Sequence, residues 1–274
     1  MLAGFLWGTS FPAIKVGLQY MDAYTFVFLR FLAASLTMLV VSLLTKNFSS
    51  KFSNKRLILI LGVTNGIAYL LQYVGMVDVS ASASSLFVNL SVVWVALLTP
   101  LVFRERLGLK KGLGVMVSLL GVVFMTTNLD FASLSQGAIL ADLAVIVAGI
   151  LWAVFIVCNK PLASASNIVQ VVTWLLIFTL LPLLPIAPFT AQVLVSLPLD
   201  AWLAVLYTAV LCWVVPYYLW LKGLKHISPV TSAIVLLTEI VVAVTISTLF
   251  LGEAFTLISG IGAVFIVVAI LLVS

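Results

Sequence analysis

The chain has 274 residues, 64% of them hydrophobic and 8% charged, with a net charge of +5 and a mean hydropathy of +1.34. A soluble domain carries roughly 25% charged residues, so this chain cannot cover itself with a water-facing surface. The excess of bases does not point to nucleic acid, because their placement in short loops matters more than their sum.

A bilayer core takes about 20 apolar residues per helix. In chain order the spans fall at 2–18, 25–44, 57–76, 82–103, 112–128, 138–158, 168–187, 200–221, 229–250 and 256–273. Membrane strands would need an apolar–polar alternation that is absent, so the expected fold is an all-α integral membrane protein of ten helices. The first span has no basic stretch before it and no small-residue cleavage site, which argues against a cleaved signal peptide. Pro182, Pro185 and Pro188 predict a ragged end to the seventh helix, and Pro12 and Pro216 predict kinks in the first and eighth. Gly4 with Gly8 and Gly62 with Gly66 have the spacing that lets helices approach closely, whereas Gly108 with Gly112 spans a loop. Cys158 and Cys212 lie in apolar spans and read as packing residues.

Of the 13 Lys and Arg residues, 11 fall on the side of the N-terminus in this threading. They are Lys46, Lys51, Lys55, Arg56, Arg104, Arg106, Lys110, Lys111, Lys160, Lys222 and Lys225. Positive loops stay inside, so both termini are expected in the cytoplasm, and the membrane is expected to be the plasma (inner) membrane.

Shifting the sequence by 148 residues aligns Tyr69 with Tyr217, Gly75 with Gly223, Ser80 with Ser228, Ser84 with Ser232, Glu105 with Glu253, Gly112 with Gly260 and Gly114 with Gly262. A shift of 145 aligns Trp7 with Trp152 and Lys15 with Lys160. The expected organisation is one five-helix repeat in 1–130 and a second in 131–274. Five is odd, so the second copy enters the membrane from the opposite side.

Several motifs resemble the EamA-type drug/metabolite transporter superfamily along essentially the whole chain. They are Leu6-Trp7-Gly8-Thr9-Ser10-Phe11 with Lys15, Leu29-Arg30-Phe31, the Ser-Ala-rich start of the fourth span, and Leu251-Gly252-Glu253 with Gly260 and Gly262. The resemblance implies two inverted repeats, a central substrate cavity and alternating access without ATP. The family often has Glu-Pro in its ninth helix; here Ile240 follows Glu239.

Mid-membrane polar groups are tolerated where they face a cavity or one another. Glu239 is the sharpest candidate, as a proton carrier or as a partner for a cationic substrate group; the alternative is a structural carboxylate that bonds a neighbouring helix or stays protonated. Arg30 either meets an anionic substrate group or, the favoured reading, locks helices by pairing with a carboxylate or with backbone carbonyls. Lys15 is the one base on the far side, explained by snorkelling at a helix end or by a charge-partner role. Asp142 suits a helix start. Asn65, Tyr69 and Gln72 share one helix face, and their repeat mates are Trp213, Tyr217 and Trp220. Amide, phenol and indole groups on two related faces would suit an amphipathic organic solute, with Asn89 and Trp7 as further members. Alternatively, the amides bond neighbouring helices and the tryptophans form an interfacial belt.

The expected function is secondary transport of small organic metabolites such as amino acids or related compounds, with protons as a coupling ion. A channel or a helper subunit is the alternative. An intramembrane enzyme is disfavoured, because the sequence has one histidine and neither an HExxH nor a GxSxG motif. No cofactor and no metal are expected.

Overall fold

The computed structural model describes residues 1–49, 54–78, 81–104, 107–131, 139–194, 197–251 and 255–273. Lys51, Ser80, Glu105, Arg106, Glu253 and Ala254 lie outside the described residues, as does the structure around the 130/131 boundary beyond Phe131.

All regular elements among the described residues are helical. Helix α1 (Leu2–Gly8) and α2 (Ser10–Gly17) are two halves of one run, interrupted at Thr9. Pro12 has no N–H to offer the carbonyl four residues back, at Gly8, which is where the first half ends. Helix α3 (Ala23–Leu44) begins at Asp22, whose carboxylate accepts from the Thr25 N–H at 2.9 Å and the Thr25 hydroxyl at 2.7 Å. Partial burial pushes the Asp22 carboxyl up, but these hydrogen bonds outweigh it and hold the group below its usual range.

Helix α4 (Lys55–Asp78) follows, then α5 (Ala81–Asn89) and α6 (Ser91–Phe103), two halves interrupted at Leu90. Helix α7 (Leu109–Thr127) and α8 (Ile139–Asn159) are continuous. Helix α9 (Ile168–Thr179) runs into a 3₁₀ stretch at Leu181–Ile186 and then α10 (Ala187–Leu194), the ragged end that the prolines predict. Helix α11 (Leu199–Ala209) passes through a π turn at Val210–Val214 into α12 (Val215–Leu224). Helix α13 (Pro229–Leu236) and α14 (Thr238–Leu251) are halves interrupted at Leu237, and α15 (Leu257–Val273) closes the chain.

Eight of the runs are long and apolar enough to cross a membrane, from Ala23–Leu44 through Pro229–Ile246. Among the described residues the first expected span, Leu2–Gly8 with Ser10–Gly17, falls outside that set, as does the tenth, where α15 is 17 residues long.

Glycines set the close contacts. A Cβ built on Gly8 would lie 2.6 Å from the Glu239 carbonyl oxygen, and one on Gly62 would lie 2.5 Å from Phe178 Cβ. The Gly4/Gly8 face therefore seats α1 on the α13–α14 run, and Gly62 with Gly66 seats α4 on α9. Gly108 has open space around it and is the residue that precedes α7, as the loop reading implies.

The same contacts recur in different parts of the chain. A Cβ on Gly149 of α8 would lie 3.4 Å from the Val88 carbonyl oxygen, and one on Gly4 of α1 would lie 3.2 Å from that of Leu236. In the α7–α15 pair, Gly262 faces Met125 and the Gly121 carbonyl, while Gly114 faces Val273 and the Ala269 carbonyl. Leu90 and Leu237, at the two interruptions, share backbone angles of φ −59° and ψ −11°.

Candidate functional site

Aromatic side chains from α3, α4, α8 and α12, together with the π turn, meet in the interior. Tyr69 packs on Phe31 (ring centroids 4.7 Å apart) and edge-on against Trp152 (4.7 Å). Trp152 continues to Phe155 (5.7 Å), Phe155 to Tyr217 (5.8 Å), and Tyr217 to Trp213 (4.7 Å). Trp213 returns to Phe31 at 5.5 Å, so these rings close a circuit. Trp220 stacks on Phe155 at 6.2 Å and reaches Trp7 at 6.3 Å. Edge-to-face and tilted packing of this kind adds about 0.5–1.5 kcal/mol per pair beyond area burial and fixes ring orientation.

The polar tips are held as well. The Tyr217 hydroxyl donates to Asn159 Oδ1 at 2.7 Å, and Trp220 Nε1 donates to Ser232 Oγ at 2.7 Å. Trp213 and Tyr217 are buried, whereas Trp7, Tyr69 and Trp152 are half-buried. The half-buried faces are the ones a solute could touch.

Arg30 sits beside this circuit, with its guanidinium carbon 5.4 Å from the Tyr69 ring centroid and the Tyr73 phenol next to it. Its Nη2 donates to the Cys212 carbonyl oxygen at 3.5 Å. The sequence explains why that carbonyl needs a donor. Pro216, four residues on, lacks the N–H that would bond it in an α-helix, and the chain relieves the proline through the π turn. Through that contact Arg30 links α3 to the π turn.

Glu239 lies in the first turn of α14, directly after the Leu237 interruption. It is half-buried, and its carboxylate has no hydrogen-bond or ion-pair partner among the described residues. Tyr69 is within its electrostatic reach. Arg30 and Glu239 are not brought together as a pair.

The remaining sequence candidates divide. Asn65 is fully buried and donates through Nδ2 to the Thr179 hydroxyl at 3.1 Å, so it joins α4 to α9, while its Oδ1 is buried without a hydrogen-bond partner among the described residues. Asn89 bonds within its own helix, to the Ser85 carbonyl at 2.7 Å. Gln72 is half-buried on α4. Lys15 is exposed at the end of α2, and its repeat mate Lys160 donates to the Leu224, Lys225 and Ile227 carbonyls at 2.7, 3.0 and 2.8 Å, capping α12. Asp142 occupies the first turn of α8.

Phe31, Tyr73, Trp152 and Phe155 were not among the sequence candidates. For Trp152 a signal existed, since it is the repeat mate of Trp7 and Trp7 was counted. Asn65→Ala is expected to lower thermal stability by about 0.6 kcal/mol, at most ~1.7, while leaving the apparent affinity for solute unchanged. A thermal melt and a transport KM measured on the same preparation check it.

Among the described residues no group of three His, Cys, Asp or Glu side chains could hold a metal ion. The sequence model of the EamA-like transporter family matches residues 1–127 and again 139–274. The uncharacterized transporter YdfC of Bacillus subtilis is 26% identical over 260 residues, covering 94% of this chain and 84% of that protein. An uncharacterized transporter of Archaeoglobus fulgidus is 26% identical over 238 residues, covering 85% and 81%. One solved crystal structure superposes with a TM-score of 0.82 over 99% of this chain and 93% of that one, at 17% identity, a likeness of fold.

Proposed function

The chain belongs to the EamA-like transporter family, and from that premise we propose that it is a secondary transporter of small organic metabolites, such as amino acids or related compounds. It is an integral membrane protein. The observation that carries the reading is the interior circuit of aromatic rings together with Glu239, in the first turn of α14, whose carboxylate has no hydrogen-bond or ion-pair partner among the described residues. Half-buried Trp7, Tyr69 and Trp152 offer ring faces to the apolar or cationic part of a solute. Glu239 offers it an anion or exchanges a proton, which gives the coupling ion. Trp213, Tyr217 and Trp220 complete the ring surface around that point, and Gln72 is a further solute contact in this reading.

In this reading the ten helical runs form two inverted five-helix repeats, 1–130 and 131–274, with both termini in the cytoplasm at the plasma membrane. The two separate matches to one family model support the duplication. So do the paired glycine contacts: Gly149 on Val88 corresponds to Gly4 on Leu236 under the 145- and 148-residue shifts. Gly262 facing Met125 and Gly121 corresponds likewise to Gly114 facing Val273 and Ala269. Exchange of equivalent partners is what a two-fold axis in the membrane plane produces.

Proteoliposomes carrying the purified chain, loaded with a panel of amino acids and related metabolites, test the proposal with and without a pH gradient. Saturable movement of at least one solute is expected. Flux that never saturates would identify a channel, and a failure of every solute to move would sink the transporter reading.

A further inference from the structure

Away from the aromatic circuit, a groove of about 550 Å³ opens between α2, α11 and α14, at the end of the bundle where α2 finishes and α11 begins. We propose that this groove binds a single-chain amphiphile with an ammonium head group, at a site separate from the central one. Its volume falls in the range of about 300–1,000 Å³ typical of small-molecule sites. Ala13 and Val16 of α2, Leu203 of α11 and Ile246 of α14 give it apolar walls. Leu203 is 54% exposed and Val16 37%, so the groove opens sideways, toward where acyl chains lie.

Asp200 and Tyr207 mark its two ends. Asp200, Leu203, Ala204 and Tyr207 are spaced three or four residues apart, on one face of α11. Seven residues place the carboxylate and the phenol ~10 Å apart along the helix axis. Asp200 is exposed and has no hydrogen-bond or ion-pair partner among the described residues. The dipole of α11 explains why an acid is tolerated in its first turn. It does not explain why that acid stands on the rim of an apolar groove, where a cationic head would complement it and an anionic head would be repelled.

The inner end is closed by a hydrogen-bonded cluster. Tyr207 donates to the Thr9 hydroxyl at 2.9 Å, Thr9 donates to the Leu6 carbonyl at 2.8 Å, and Cys212 Sγ lies 3.5 Å from the Thr9 hydroxyl. These groups are satisfied by one another, so the floor demands no polar ligand and suits the tail of an amphiphile. Cys212, with Arg30 bonded to its carbonyl, then separates the groove from the circuit.

The test is equilibrium binding of radiolabelled dodecyltrimethylammonium to the full chain in phosphatidylcholine nanodiscs, with empty nanodiscs as the blank. Saturable binding at one probe per chain is expected. Asp200→Asn should weaken it by up to about fivefold, the upper worth of an exposed ion pair. Asp200→Glu should keep it, Leu203→Trp should block it by filling the groove, and Glu239→Gln should leave it unchanged. Dodecyl sulfate should not compete. Binding no greater than in empty nanodiscs, or equal binding by Asp200→Asn, would overturn the proposal. Loss in Glu239→Gln would move the probe to the central site and overturn it too. Displacement of the probe when the nanodisc lipid is phosphatidylethanolamine would assign the groove to bilayer lipid instead. The readout is binding, so it stands or falls apart from the transport assay.

Discussion

Glu239→Gln should lower solute uptake driven by a proton gradient by about 10- to 100-fold, the worth of one charge-assisted hydrogen bond. The substitution keeps the shape of the side chain and removes its ability to carry a charge or give up a proton. Glu239 makes no hydrogen bond or ion pair that folding would miss among the described residues, so the variant should elute and melt like the parent. Uptake in proteoliposomes at matched and unmatched pH separates the two roles open to the carboxylate. If it carries the proton, the variant loses its response to the gradient; if it only meets a cationic solute, KM rises and the gradient response survives. Unchanged uptake with an unchanged proton response would reject both.

Gly8→Val should damage packing next to Glu239. Even a Cβ at this position would lie 2.6 Å from the Glu239 carbonyl oxygen and 2.7 Å from Val242 Cβ, so backbone has to move. Overpacking of this kind costs about 1–3 kcal/mol, and the displaced segment is the one that carries Glu239. A lower melting temperature together with reduced uptake is expected, and Gly8→Ala should show the same pair of effects more weakly. Gly108→Ala has open space and serves as the control. Equal melting temperatures for Gly8→Val and Gly108→Ala would contradict the contact.

Much of the architecture was legible because membrane helices are dictated by composition. Apolar runs gave the helical segments, and prolines gave the interruptions near Thr9, at Val210–Val214 and at Leu181–Ile186. The interruptions at Leu90 and Leu237 carry no proline or glycine of their own and could not be read from local sequence. The candidate site was legible in part. Register matching found Tyr69, Tyr217, Trp213 and Trp220, whose large rings have nowhere to go but the interior. The helical-face argument grouped Asn65 with Tyr69, four residues away, without showing that Asn65 also bonds α9. Which neighbour an amide meets is decided by the packing of a third helix, and Thr179 gives no sign of that in the sequence.

The bond from Arg30 to the Cys212 carbonyl has a mechanical consequence. A proline-broken helix is ordinarily a free joint, but here the joint at Pro216 is riveted to α3 by a cation. Bending there would have to strip the guanidinium from its acceptor. The second and eighth helical runs should therefore travel as one strut. Leu90 and Leu237 are breaks across which no side chain of another helix is hydrogen-bonded among the described residues, so bending there should be easier than at Pro216.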